Sequence, residues 1–126
     1  LLILRKKTED MKIVSADKVE KKKVAMEGAT GAWKQLPLGS SDGVPLFSFR
    51  VFTLEPGGHT PYHNHASEHL NYIIEGQGEL IDEAGKSHPL NAGDFALVSP
   101  GEKHQYRNMS PDKQFRMICA VPKEYE

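Results

Sequence analysis

The sequence predicts an all-β protein, a single antiparallel sandwich or barrel, on three observations. Side chains alternate in character from residue 46, with Phe47, Phe49 and Val51 set against Ser48 and Arg50. Turn chemistry recurs at short intervals: Pro56-Gly57-Gly58, Gly76-Gln77, Glu83-Ala84-Gly85, Ala92-Gly93-Asp94, Pro100-Gly101 and Ser110-Pro111-Asp112. No convincing helical period occurs outside the N-terminal region. At 126 residues there is room for one core and too little chain for two ordinary domains. The expected division is an upstream extension at 1–10, an N-terminal strand and loops at 11–45 packing on the barrel, and the barrel itself at 46–126.

In order, Leu1 to Leu4 are apolar and Arg5 to Lys7 basic, too short and in the wrong charge order for a signal peptide. Residues 1–10 therefore read as artificial or disordered, with Met11 a natural start. Residues 11–24 are charged, with Ile13, Val14, Val19 and Val24 as their apolar anchors, and predict a short strand with a solvated face. Lys21, Lys22 and Lys23 adjoin Glu20 and read as a surface cluster rather than a nucleic-acid patch. Residues 27–43 carry Gly28, Gly31, Gly39, Gly43 and Pro37 and read as loops, with Trp33 a packing anchor. A strand then runs from 46 to about 54, ended by Glu55-Pro56-Gly57-Gly58, and further strands are expected at 69–75, 78–82, 87–90, 95–98, 104–108 and 115–121.

Composition excludes several classes of partner. A net charge of -1 gives no global field for nucleic acid or an anionic membrane, and no apolar run is long enough to span a bilayer. Cys119, the single cysteine, cannot form an internal disulfide, so a reducing, cytoplasmic setting fits. The expected partner is a small-molecule substrate in a local site.

The histidines mark that site. His63, His65 and His69 share one parity, so a strand would place all three rings on one face, and His104 lies far off beside a second turn. A helix would align His65 with His69 but turn His63 away, and Pro61, Asn64, Tyr72, Ile73 and Ile74 disfavour it. Four imidazoles in this pattern point to a metal centre completed only by folding.

Gly58, His63-Asn64-His65 and Gly76, followed by Gly93, Gly101, His104 and Asn108, resemble the two signature motifs of the cupin superfamily. The resemblance covers about residues 46 to 121 and implies an antiparallel jelly-roll barrel of the small, single-domain (monocupin) type. The glutamate usual in the first motif is replaced by His69, with Glu68 displaced by one place; Ser99 stands where a proline is usual, with Pro100 next to it. The implied site holds one divalent metal ion per subunit through His63, His65, His69 and His104. Glu68 is the rival ligand if a bulge turns it inward, and otherwise a carboxylate holding a ligand's free N–H. Imidazole suits manganese, iron, nickel, copper and zinc. Manganese, iron or nickel are favoured, since a closed tetrahedral zinc site leaves no open position. Four neutral rings leave the ion its full charge, a stronger Lewis acid than a carboxylate-bearing set would give.

Around the metal, alternation nominates further residues. Tyr106 shares parity with His104 and is expected to line the cavity, while Asn108 supports a turn or strand. Arg50 either clamps an anionic substrate or is exposed on the outer face. His59 has a supporting or substrate role to fill, His88 is exposed, and Met117 and Cys119 face inward together as core or pocket. The favoured function is a metal-dependent, dioxygenase-like oxidoreductase acting on a small organic molecule. The alternatives are a metal-dependent isomerase or lyase that polarises a carbonyl without dioxygen, and a non-catalytic small-molecule or metal binding module. A homodimer is expected, with residues 11–24 completing a neighbour's sheet as small cupins commonly do.

Overall fold

Alternating side chains in a chain rich in turn residues give short strands. The computed structural model describes residues 11–126, so the reading of residues 1–10 lies outside it. Among the described residues the strands are β1 (Lys22–Lys23), β2 (Thr30–Leu38), β3 (Phe47–His59), β4 (His69–Glu75), β5 (Gln77–Ile81), β6 (Ser87–Asn91), β7 (Phe95–Val98), β8 (Gln105–Arg107) and β9 (Phe115–Pro122). They form one curled antiparallel sheet in the order β6-β5-β8-β3-β9-β4-β7, with β2 beside β3 and β1 beside β2. This is the expected all-β jelly-roll barrel. One part of its interior is apolar, built on Leu54, Ile73, Leu90, Phe115 and Met117.

Two glycines are required where β4 turns into β5. Gly76 has φ +82°, and a Cβ there would lie 2.3 Å from the Gln114 carbonyl oxygen; a Cβ on Gly78 would lie 2.8 Å from the Phe115 ring. Asn108 performs the supporting task expected of it. It is buried, its side-chain amide donates to the carbonyls of Leu54, Glu55 and Lys113, and its oxygen accepts from Ser110 N–H.

Three expectations are corrected. Residues 27–43 are not all loop, since Thr30–Leu38 is a nine-residue strand paired along β3. Its glycine and proline are absorbed by register shifts between Thr30 and Ala32 and between Gln35 and Leu38. Pro56-Gly57-Gly58 likewise does not end β3: the strand bulges and continues to His59, with Gly58 packed so closely on Gly31 that a Cβ would lie 2.7 Å from its carbonyl oxygen. Finally, His63 and His65 are not on a regular strand. His63 forms an isolated bridge with His104, and His69 is the first residue of β4.

The N-terminal residues fold back on their own chain. Lys22–Lys23 pairs with β2, and Gln35 donates its side-chain amide to the carbonyls of Ala16 and Val19. The outer face of the sheet carries cross-strand rows of apolar residues. One runs Leu38, Phe49, Ala120, Leu70, Leu97, and the next runs Val51, Ile118, Tyr72, Phe95. Phe95 is 80% exposed and Leu97 62% exposed.

Candidate metal centre

Backbone pairing, rather than strand alternation, assembles the histidines. The end of β3 and the segment that follows it zip alongside β8 and its flanking residues. Gly57 N–H donates to Asn108, Asn108 N–H to Gly58, and Thr60 N–H to Tyr106, and the Tyr106 N–H returns to the Thr60 hydroxyl. At its end His63 and His104 exchange both backbone hydrogen bonds, at 3.1 and 2.9 Å, and Gly101 N–H donates to the His65 carbonyl. The two motifs are thus tied together at the residues that bear the imidazoles.

His63, His65 and His104 each bring a ring nitrogen to within 4.8 Å of the others, and the Nε2 atoms of His63 and His65 are 3.1 Å apart. Two nitrogens bound to one ion at about 2.0–2.1 Å sit roughly 3.0–3.4 Å apart, so this spacing fits ligands converging on a common centre. The Nδ1 of His104 lies 2.8 Å from the Glu102 carbonyl, an obligate acceptor, so Nδ1 carries the proton and Nε2 keeps its lone pair. His69 is outside that trio but inside the cluster: its ring stacks on His65, centroids 3.9 Å apart and planes 13° from parallel. Burial holds all four imidazoles below the usual histidine range, and for His63, His65 and His69 neighbouring rings add to it. His65 is lowered to about 4 and His69 to about 3. Each ring is therefore neutral at pH 7, the form that binds a metal.

The rings line a cavity of about 520 Å³ walled also by Phe52, Met117, Met26 and Val24. No aspartate or glutamate lines it among the described residues. Tyr106 and Asn71 line it too, and the buried Tyr106 hydroxyl donates to the Asn71 side chain. Burial pushes the phenol well above its usual range, so it remains protonated. Arg50 is buried on the cavity side, which resolves the two sequence readings of its face, and Cys119 lies opposite it on β9. The Cys119 thiol is pushed up by burial.

Other nominated residues sit elsewhere. Glu68 is exposed and not part of the cavity wall, so no bulge turns it inward. His59 is half-buried outside the wall, with Nδ1 3.1 Å from the Thr60 carbonyl. His88 is exposed, 2.8 Å from Asp82. The sequence reading missed Asn71, Lys34 and Ser67 as lining residues. Asn71 shares parity with His69 and was within reach of that reasoning, whereas Lys34 sat in a segment read as loop and Ser67 in an irregular one.

Known proteins share this fold. The model of the cupin domain family matches residues 50–121. The L-ectoine synthase of Rhodococcus erythropolis is 32% identical over 75 residues, 59% of this chain and 54% of that protein. The oxalate-binding protein of Thermotoga maritima is 32% identical over 75 residues, 58% of this chain and 61% of that one. The alignment thus spans little more than half the length of these relatives. Among solved structures, the polyketide cyclase RemF from Streptomyces resistomycificus superposes with a TM-score of 0.84 at 27% identity, over 89% of this chain and 79% of that one. The match over most of the barrel, together with the paired motifs that carry the imidazoles, places this chain in the cupin domain family.

Proposed function

We propose that this chain is a metal-dependent enzyme that polarises a carbonyl of a small organic molecule without consuming dioxygen, as an isomerase, lyase or cyclase does. One observation carries the reading: a cluster of imidazoles, all held neutral, on the wall of a cavity without a carboxylate. The similarity to a polyketide cyclase and to L-ectoine synthases favours it over the dioxygenase-like alternative, which none of the reported likenesses supports.

In this reading His63, His65 and His104 hold the ion and His69 completes the set as a fourth ligand. A divalent ion held by neutral imidazoles keeps its full charge and, when bound, supplies Lewis acidity toward a carbonyl oxygen. The Glu102 carbonyl orients His104 by accepting its Nδ1 proton. Tyr106 keeps its proton and spends it on Asn71, so that both side chains shape the pocket as a fixed pair. Phe52 and Met117 give the cavity an apolar wall beside the imidazoles, which strengthens electrostatic interactions there.

The test uses protein purified without chelator or affinity tag, loaded with redox-inert zinc and kept under nitrogen. Deuterium exchange at the α-carbon of a β-diketone, followed by NMR, is expected to accelerate with wild type and not with His65→Ala. Absence of exchange with zinc, together with oxygen uptake by iron-loaded protein, reverses the assignment in favour of the dioxygenase.

The molecule is further proposed to work as a homodimer through the outer face of the sheet. The exposed members of those two rows, Phe49, Leu70, Tyr72, Phe95 and Leu97, carry no charge, and in the next row of the same face Arg116 is paired with Glu75, so two copies can meet about a twofold axis without opposing charges.

A further inference from the structure

We infer that the substrate carries a carboxylate and that Arg50 receives it, an assignment that rests on the carbonyl-polarising function proposed above. Arg50 is 7% exposed and lines the cavity. Its Nη2 donates to the Cys119 sulfur at 2.9 Å, its Nη1 reaches the Tyr125 carbonyl at 3.5 Å, and its guanidinium carbon lies 5.0 Å from the Phe52 ring centroid. Its Nε has no partner. Among the described residues no carboxylate forms an ion pair with it. A guanidinium does not shed its proton in a protein, and a buried cation without a counter-ion costs stability. Cys119 does not supply the missing charge, because burial keeps its thiol protonated.

The other cavity cations are provided for differently. Lys34, opposite Phe52, is an amine that can give up its proton and is pushed down by burial and by the Arg50 charge, with Glu126 opposing, while Lys22 and Lys23 are exposed to water. Arg50 is thus the cavity cation that is both buried and always charged, and what it lacks is an anion. A carboxylate presents two coplanar oxygens to the planar guanidinium fork, the flat bidentate pairing. A second orphan points the same way: Ser67, 8% exposed and also lining the cavity, has a hydroxyl without a partner. Arg50 and the four imidazoles line the same cavity, so an acid anchored on Arg50 presents its remaining atoms to the imidazole cluster.

The experiment is calorimetric titration of the full chain with benzoate, benzamide and inorganic phosphate, with elemental analysis of the same samples. Wild type is expected to bind benzoate at least about tenfold more tightly than the neutral amide or phosphate, and Arg50→Gln to lose that preference. In the ligand-free protein Arg50→Met is expected to raise the Tm, because an uncompensated buried charge gives way to an apolar chain of similar length. If Arg50→Gln fails to fold, Arg50→Lys serves: it keeps the preference for benzoate at reduced affinity. Benzoate binding no better than benzamide, a preference unchanged in Arg50→Gln, or a lower Tm for Arg50→Met overturns the assignment. Metal present without charge preference defeats the clamp alone; charge preference without metal defeats the metal-dependent function and leaves the clamp standing.

Discussion

The two faces of strands β3, β9 and β4 are near opposites. Toward the cavity they present Arg50, Cys119, Asn71 and His69; away from it, one residue over in each strand, they present Phe49, Ala120 and Leu70. In an ordinary half-buried strand the apolar set faces in and the polar set faces water. Here that arrangement is inverted at the site end of the barrel, while Leu54, Phe115 and Ile73 keep the usual order elsewhere in the same strands. The inversion separates the two faces of one sheet: the inner face carries the polar and imidazole side chains of the candidate site, and the outer face carries exposed apolar ones.

The largest expected effect lies on the inner face. Replacing His65, which touches His63, His69 and His104, removes a ring at the middle of the cluster. His65→Ala is expected to weaken metal binding by more than about 100-fold, beyond the 10–100-fold that loss of a supporting outer contact costs. Elemental analysis after dialysis reads this directly, and full metal content in the variant breaks the assignment of the inner face.

On the outer face, the double substitution Phe95→Lys and Leu97→Lys places charge where two copies are expected to meet. Burying a Phe or Leu side chain contributes about 1.5–3 kcal/mol, so losing the pair on both partners shifts dissociation by well over tenfold. Size exclusion with light scattering at micromolar concentration is expected to give a two-chain mass for wild type and a one-chain mass for the variant. A one-chain mass for wild type removes the partner from the comparison.

This inversion also explains what the sequence reveals and what it hides. Strands β4, β7 and β9 are legible because alternation and flanking turns agree, and the histidine pattern is legible because the motif spacing survives folding. The face of Arg50 is not legible. Phe47, Phe49 and Val51 invite the inward assignment by hydrophobicity, and only the pairing of Arg50 with Cys119 shows which parity faces the cavity. Strand β2 is hidden for a different reason: Gly31 and Pro37 are breakers in isolation, and the length of β3 beside them is what makes a strand of the segment. Strand parity puts His63 and His65 on one side, yet neither residue lies on a regular strand. The backbone exchange between His63 and His104 does that work, and no local pattern announces it.

A smaller effect separates the faces by pH. His65 and His69 titrate at about 4 and about 3 in the folded chain, against about 6.5 unfolded. Between those values the unfolded chain binds more protons than the folded one, so stability falls as pH drops below about 6.5 and levels off near the folded pKa values. Above about 6.5 both forms are neutral and the contribution vanishes. Thermal unfolding of chelator-treated protein is expected to show this acid slope, and His65→Ala combined with His69→Ala is expected to flatten it. Equal slopes mean that burial of the rings is lost in the metal-free protein.

The smallest expected effect is the sharpest test of parity. Glu68 and His69 are neighbours, yet Glu68 is exposed while His69 stacks on His65 inside the cluster. Glu68→Ala is expected to leave metal content unchanged and stability within about 0.5 kcal/mol, as for a surface site without special contacts. His69→Ala, one residue away, is expected to lower metal affinity measurably, since under the proposed function it is the fourth ligand. A one-residue slip at the start of β4 would exchange the two results, because strand period carries every side chain to the opposite face. Loss of metal in Glu68→Ala with retention in His69→Ala therefore restores a three-histidine, one-carboxylate site, and with it a centre one unit less positive and a weaker Lewis acid.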